Sequence, residues 1–154
     1  MEIWNTGSGS TIKFCEMIVF INSHIKAGEK IFIGSDSQLS SSSCRFATAI
    51  CLYTKSSGGI YFFKKHTVKN KKLLNLKLRM LEEAQRTLET AFKILEKSPE
   101  ADIELHLDIG MSEKSKTRKY VDELRGWILS SGFECKVKPN AWASASIADK
   151  HSKY

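Results

Sequence analysis

Apolar positions along this chain recur at two periods, one helical and one alternating, and the switches between them predict an order of helix, three strands, long helix, strand, helix, strand, helix. Residues 1–10, with Gly7-Ser8-Gly9-Ser10, suggest a loose lead-in. Thr11 is a candidate N-cap for a helix carrying Phe14, Met17, Ile18, Ile21 and Ile25, which Gly28 ends. Lys30 to Ser35 reads as a short buried strand that delivers Asp36 at its C-terminal end. The turn Ser40 to Ser43 and two strands, Arg45 to Tyr53 and Ile60 to Val68, follow; these two form an antiparallel hairpin through Lys55-Ser56-Ser57-Gly58-Gly59. Asn70 is placed to cap a helix from Lys72 to about Lys97, with Leu74, Leu78, Leu81, Leu88, Phe92 and Leu95 as its apolar stripe, stopped by Ser98-Pro99.

Farther on, Ile103, Leu105, Leu107 and Ile109 alternate with Asp102, Glu104, His106 and Asp108, so Asp108 points away from the leucines. Ser112 is a candidate N-cap for a helix running through Leu129 with Tyr120, Val121, Leu124, Trp127 and Ile128. Phe133 to Lys138 is a last strand, and Pro139-Asn140 leads into a helix from Ala141 to Asp149 or beyond. No internal repeat or long linker divides the chain, so a single domain over residues 1–154 is expected. The later strand-helix-strand segments predict right-handed parallel crossovers. The expected fold is α/β: a mixed five-stranded sheet, three strands antiparallel and the rest parallel, flanked by helices with an extra one at the N-terminus. Strands one and four then lie side by side, and Asp36 meets Asp108 at neighbouring carboxyl ends, where open sheets of this kind place ligands.

Composition narrows the class. With 42% hydrophobic and 27% charged residues the chain is ordinary for a globular protein. It has no apolar run of about 18 residues or more and no secretion signal at Met1-Glu2-Ile3-Trp4-Asn5, so a soluble, cytoplasmic protein without a membrane partner is expected. Cys15, Cys44, Cys51 and Cys135 form no CxxC pair and read as free thiols. The net charge is +7, and it is clustered: Lys64, Lys65, Lys69, Lys71, Lys72, Lys77 and Arg79 lie in a stretch without an acid. Lys114, Lys116, Arg118 and Lys119 form a second group, and Lys136, Lys138, Lys150 and Lys153 a third. Such patches draw a polyanion by counterion release. Lys64, Lys65, Lys69, Lys71, Lys72 and Lys138 are the candidate nucleic-acid contacts, Lys138 because it joins the last strand to the helix that carries Asp149.

Against this basic background, Asp36, Asp108, Asp149 and one of the neighbours Glu82 and Glu83 fall on elements able to converge. Helical geometry favours Glu83, which lies nearer the edge of the apolar stripe. Gathered carboxylates raise one another's pKa, and a divalent cation relieves the repulsion. An all-oxygen set without paired His or Cys suits Mg²⁺ or Mn²⁺ rather than zinc. Each acid also has a plainer reading: a turn residue at Asp36 or Asp108, a surface acid at Asp149. A carboxylate that ends Ile-Phe-Ile-Gly-Ser is nevertheless costly unless it has a partner. His106 and His151 are secondary candidates beside these acids, and Trp142 reads as a core anchor more readily than as a base-stacking platform.

The order of elements, Ile33-Gly34-Ser35-Asp36-Ser37-Gln38, Asp108 and the C-terminal helix with Asp149 resemble the ribonuclease H-like fold. More closely, Ile33 to Gln38, Glu104 to Asp108 and the run from Lys136 through Pro139-Asn140-Ala141-Trp142 to Asp149 resemble the YkuK-like family of predicted RNase H-like nucleases. The likeness covers nearly the whole chain. It implies a metal-dependent nuclease that hydrolyses phosphodiester bonds in RNA, an RNA/DNA hybrid or structured DNA with two Mg²⁺ or Mn²⁺ ions roughly 4 Å apart. Asp36 would bridge both ions, Asp108 and the helix glutamate would bind one, and Asp149 the other. In the familiar RNase H layout that glutamate lies near the start of its helix, whereas Glu83 lies about three turns in. The alternative is a non-catalytic or weakly catalytic nucleic-acid-binding module on the same fold. A nucleotide-binding ATPase lacks the glycine-rich phosphate loop it would need.

Overall fold

The computed structural model describes residues 2–54, 58–110 and 116–153. Its strands are β1 (Ile3–Thr6), β2 (Thr11–Lys13), β3 (Ile31–Leu39), β4 (Cys44–Thr54), β5 (Gly58–Val68), β6 (Ile103–Gly110) and β7 (Glu134–Lys138). They form one sheet in the order β2-β1-β5-β4-β3-β6-β7. The five strands from β5 to β7 in that order match expectation: β3, β4 and β5 are antiparallel neighbours, while β3, β6 and β7 run parallel. The sheet has seven strands rather than five because the stretch expected to be a loose lead-in is a hairpin. Thr6 and Ser10 close it through the Thr6 amide on the Ser10 carbonyl, and Gly9 takes φ 98° in the turn. Two short strands offer too few alternations for a period of two to stand out, but Trp4, 1% exposed, drives β1 against the core and β1 pairs with β5. Thr11 is accordingly a strand residue and not an N-cap.

The helices are α1 (Phe14–Lys26), α2 (Leu76–Lys97), α3 (Val121–Ser130) and α4 (Asp149–Ser152), the last preceded by a π-helical segment over Ala143–Ala148. Before α2 the chain makes a separate 3₁₀ turn, Lys71–Leu74. Asn70 caps that turn by accepting from the Lys72 amide, and Asn75 caps α2 by accepting from the Leu78 amide. This break starts the helix at Leu76 and rotates its buried stripe to Met80, Ala84, Leu88, Ala91 and Ile94, leaving Leu74, Leu78 and Phe92 exposed. The expected cap Ser112 and the basic residue Lys114 lie outside the described residues, as do Lys55, Ser56 and Ser57. The described part of the following helix is a 3₁₀ turn, Arg118–Tyr120, leading into α3. Among the described residues no helix is long and apolar enough to cross a membrane.

The two faces of β3 sort the chain into layers. Ile31 and Ile33 enter the main core with α1, α2 and α3, whereas Phe32 and Gly34 face the C-terminal segment. The contact at Gly34 is so close that a Cβ built there would lie 2.5 Å from the Ser144 amide nitrogen and 2.8 Å from the Ala143 carbonyl carbon. Only glycine lets the π-helical segment lie flat on the strand. Gly34→Ala is therefore expected to cost about 1–3 kcal/mol by overpacking. Gly126→Ala, within α3 where a Cβ meets nothing within 4 Å, should be stabilising by up to about 1 kcal/mol. Urea denaturation of both variants checks the pair, and an unshifted midpoint for Gly34→Ala would contradict the packing described.

Candidate functional site

Parallel pairing between β3 and β6 runs from Ile31 opposite Ile103 to Gly34 opposite His106. Asp36 and Asp108 each stand two residues beyond that last pair, on the same face of adjacent strands, so they reach the C-terminal edge of the sheet side by side. Glu83 comes to this edge from α2 on one side of the sheet and Asp149 from α4 on the other. The structure thus brings all four candidate acids together, with Glu83 facing inward: Ser37 Oγ donates to Glu83 Oε2 at 2.7 Å. Glu82 instead accepts from Arg86 Nε one helical turn away, at 2.9 Å. Because α2 begins at Leu76, Glu83 lies about two turns into its helix rather than three.

Two buried polar sets hold these acids in place. On the α2 side, Ser35 Oγ shares a hydrogen bond with Thr48 Oγ1 at 2.8 Å, and Thr87 Oγ1 lies 2.9 Å from both Ser35 Oγ and the Glu83 carbonyl. These hydroxyls join β4, β3 and α2 directly behind the site. On the other side, the Ala143 amide donates to His106 Nδ1 at 3.0 Å, which leaves Nε2 to donate to Glu104 Oε2 at 2.7 Å. His106 is fully buried, and burial lowers its pKa against the pull of Glu104, so the ring is a neutral structural tie between β6 and the π-helical segment rather than a water-positioning group.

The electrostatics centre on Asp36, which is 5% exposed. Burial pushes its carboxyl up to about 8, helped by a hydrogen bond to Asp149 and by the charges of Asp108 and Asp149; Ser152 Oγ, 2.9 Å from Asp36 Oδ2, acts in the opposite sense. Glu83 is also held well above the ordinary glutamate range, first by burial and then by the charges of Asp36 and Asp108, despite the Ser37 hydrogen bond. Asp149 moves the other way. Burial opposes it, but the ion pair with Lys153 at 2.9 Å and the hydrogen bonds from Asp36 and Gln38 together lower its pKa. At neutral pH a proton therefore stays on Asp36 and is shared toward a charged Asp149.

Asp108 takes its counter-charge from Lys138, whose Nζ lies 2.9 Å from Oδ1. That contact is an ion pair only: buried Asp108 Oδ1 accepts no hydrogen bond of acceptable geometry among the described residues. Lys138, the candidate nucleic-acid contact between the last strand and the helix with Asp149, thus faces the acids. Its pKa is raised first by Asp108. Among the described residues, no three His, Cys, Asp or Glu side chains are arranged to hold a metal ion as they stand.

The other expected contacts divide by neighbourhood. Lys64 is paired with Glu2 at 3.1 Å on the α2 face, beside Trp4. Lys65 lies over the Phe63 ring on the opposite face. Lys69, Lys71 and Lys72 are exposed past the end of β5, at the same edge of the sheet as Asp36. His151 stacks on Phe63 with ring centroids 3.5 Å apart and pairs with the Tyr61 hydroxyl. Trp142 contacts Phe32, His106 and Tyr53, an aromatic anchor as expected. Ser152 and Lys153 were missed as partners of the acids; their signal was helical spacing, three and four residues beyond Asp149.

The chain is 28% identical over 149 residues to a protein of Bacillus subtilis (strain 168) described as uncharacterized protein YkuK, an alignment that covers 87% of this chain and 85% of that protein. No solved structure matches the chain. The model described as "Ribonuclease H-like" matches residues 13–153, from the end of β2 to the residue after α4, and the chain belongs to that family.

Proposed function

We propose that this protein is a metal-dependent nuclease that hydrolyses phosphodiester bonds in RNA, an RNA/DNA hybrid or structured DNA, with Asp36, Glu83, Asp108 and Asp149 as the acidic set. The observation that carries the reading is the convergence of four carboxyls on one sheet edge around a nearly buried Asp36 whose pKa rises to about 8. A stable fold has little reason to bury such a set for its own sake, since mutual repulsion and desolvation both oppose it. Perturbed carboxyls at an open sheet's carboxyl edge point to chemistry.

The donor set fits hard divalent cations. Every candidate ligand is a carboxylate oxygen, and Asp108 Oδ1 is answered only by the Lys138 ammonium among the described residues. Asp36, Asp108 and Glu83 would hold one Mg²⁺ or Mn²⁺ ion, and Asp36 with Asp149 a second. Such ions supply positive charge for the phosphate and a more acidic bound water. For them to enter, Asp36 must release its proton, and Asp108 and Asp149 must exchange Lys138 and Lys153 for the incoming charge. Lys138, once displaced from Asp108, stays within reach of the same edge and can hold a phosphate oxygen as a point charge. A binding module with a silent acidic site is the alternative, and the intact acidic set weighs against it.

Asp36→Asn is expected to lower Mn²⁺-dependent cleavage of labelled RNA, hybrid and branched DNA by about a hundredfold or more, the scale for losing one group that stabilises transition-state charge. Nucleic-acid binding should be kept or strengthened, because one negative charge is gone; wild-type cleavage in this variant would remove the assignment. A second expectation concerns pH. Asp36 has a folded pKa raised from 3.8 to about 8, so the folded state holds the extra proton in that window, and the cation-free protein loses stability as pH rises from about 4 through about 8. Calorimetric melting temperatures measured across this range should fall less steeply in Asp36→Asn than in wild type. Added Mg²⁺ should stabilise wild type more at about pH 9 than at about pH 6, since binding no longer has to expel a proton. Equal stabilisation at both ends would disconnect Asp36 from cation binding.

A further inference from the structure

A cavity of about 560 Å³ opens beside the acidic edge, between the β3–β4 turn and the 3₁₀ turn. Ser40 to Ser43 form one wall and Lys69 and Lys71 the other, with Leu39 and Leu74 at its margins. Two properties separate it from the other basic surfaces. The first is charge: no carboxylate lines it, and neither Lys69 nor Lys71 forms an ion pair among the described residues. By contrast, Lys64 and Lys93 share Glu2, and Lys138 pairs with Asp108. The cavity beside Trp4, richer in cations, contains Glu2 and Glu89 as well.

The second property is position. Leu39 is on β3, three residues beyond Asp36, which puts the cavity about 10 Å from the acids at a strand rise of about 3.3 Å per residue. A stacked strand rises about 3.4 Å per nucleotide along its axis and its phosphates lie farther apart than that, so a strand whose phosphate lies on the acids would bring a phosphate no more than about three nucleotides away to the lysines. Serine hydroxyls and paired ammonium groups suit phosphate oxygens. Leu74, 66% exposed, and Leu39 give apolar surface to the sugar or base alongside.

We infer that this serine and lysine cavity is a binding subsite for the sugar-phosphate backbone of a polynucleotide, gripping it within about three nucleotides of the scissile phosphate. The inference rests on the nuclease reading for its geometry and goes further by requiring a strand rather than a mononucleotide.

The test measures binding rather than cleavage. In the Asp36→Asn background, affinity for single-stranded oligonucleotides of increasing length is followed by fluorescence anisotropy across a salt series. Lys69→Ala with Lys71→Ala should flatten the slope of log affinity against log salt by about 1.4, two phosphate contacts at about 0.7 each for a single strand. Lys64→Ala, which removes an ammonium group already paired with Glu2, should change the slope less. The affinity gained on lengthening up to about three nucleotides should disappear in the double variant only. A slope and length dependence matching the Asp36→Asn parent, with melting temperature intact, would overturn the proposal. So would loss of binding to anionic phosphatidylserine vesicles while oligonucleotide binding is unchanged, which would assign the cavity to a membrane surface. Should the double variant fold poorly, Lys71→Glu alone must flatten the slope by at least about 0.7, the share of one contact. If wild type cleaves nothing in Mg²⁺ or Mn²⁺ while the lysine-dependent slope persists, the nuclease reading fails and the subsite stands.

Discussion

Asp36 lies on a central strand with almost no contact with solvent, and a carboxylate in that position persists only by giving up its charge or meeting an opposite one. In the cation-free molecule it does the former, sharing a proton toward Asp149 and accepting from Ser152. Its neighbours Asp108 and Asp149 do the latter through Lys138 and Lys153. The fold therefore carries two kinds of removable cation at one edge, a proton on the innermost acid and two ammonium groups on the outer ones. Both lysines are half exposed, whereas the protonated acid is buried.

What holds the acids in range is packing that has nothing to do with charge. Gly34 lets the π-helical segment touch β3, His106 pins that segment to β6, and together they fix where α4 begins and hence where Asp149 stands. On the opposite face the hydroxyls of Ser35, Thr48 and Thr87 seat α2 on the sheet, so that Glu83 meets Ser37. Buried hydrogen bonds of this kind are directional, and a one-residue slip of α2 would break the Thr87–Ser35 and Ser37–Glu83 bonds. A π-helical segment also places the residues after it at an angle that a regular helix would not, a feature that recurs at functional sites.

The legible parts of the sequence were those with a local signature. Asp36 and Asp108 could be placed because each ends an apolar run of strand character, and parallel pairing of those runs follows from the intervening helix. Glu83 was preferred over Glu82 from helical angle, though Asn75 was overlooked as a second cap and the helix was started too early. The hairpin of β1 and β2 was missed because its signal is tertiary: Trp4 is a strand residue only when β5 is there to pair with. The π-helical segment and the ion pairs of Lys138 and Lys153 were beyond reach for a related reason. They are settled by contacts between residues far apart in the chain, or by side-chain reach, neither of which leaves a period in the sequence.

Net charge shows the same gap between composition and arrangement. Counting lysines marks the stretch from Lys64 to Arg79 as uniformly basic, yet alternation along β5 turns Lys64 toward Glu2 and Lys65 toward Phe63, on opposite faces of the sheet. Only beyond Val68, where the strand ends and the alternation stops, do lysines gather on one side without a carboxylate lining their cavity. A polyanion gains from releasing counterions only at charges that are not already neutralised within the protein. Lys69 and Lys71, past the strand end, form no ion pair among the described residues and keep their attraction for phosphate, at the same edge of the sheet as the acids.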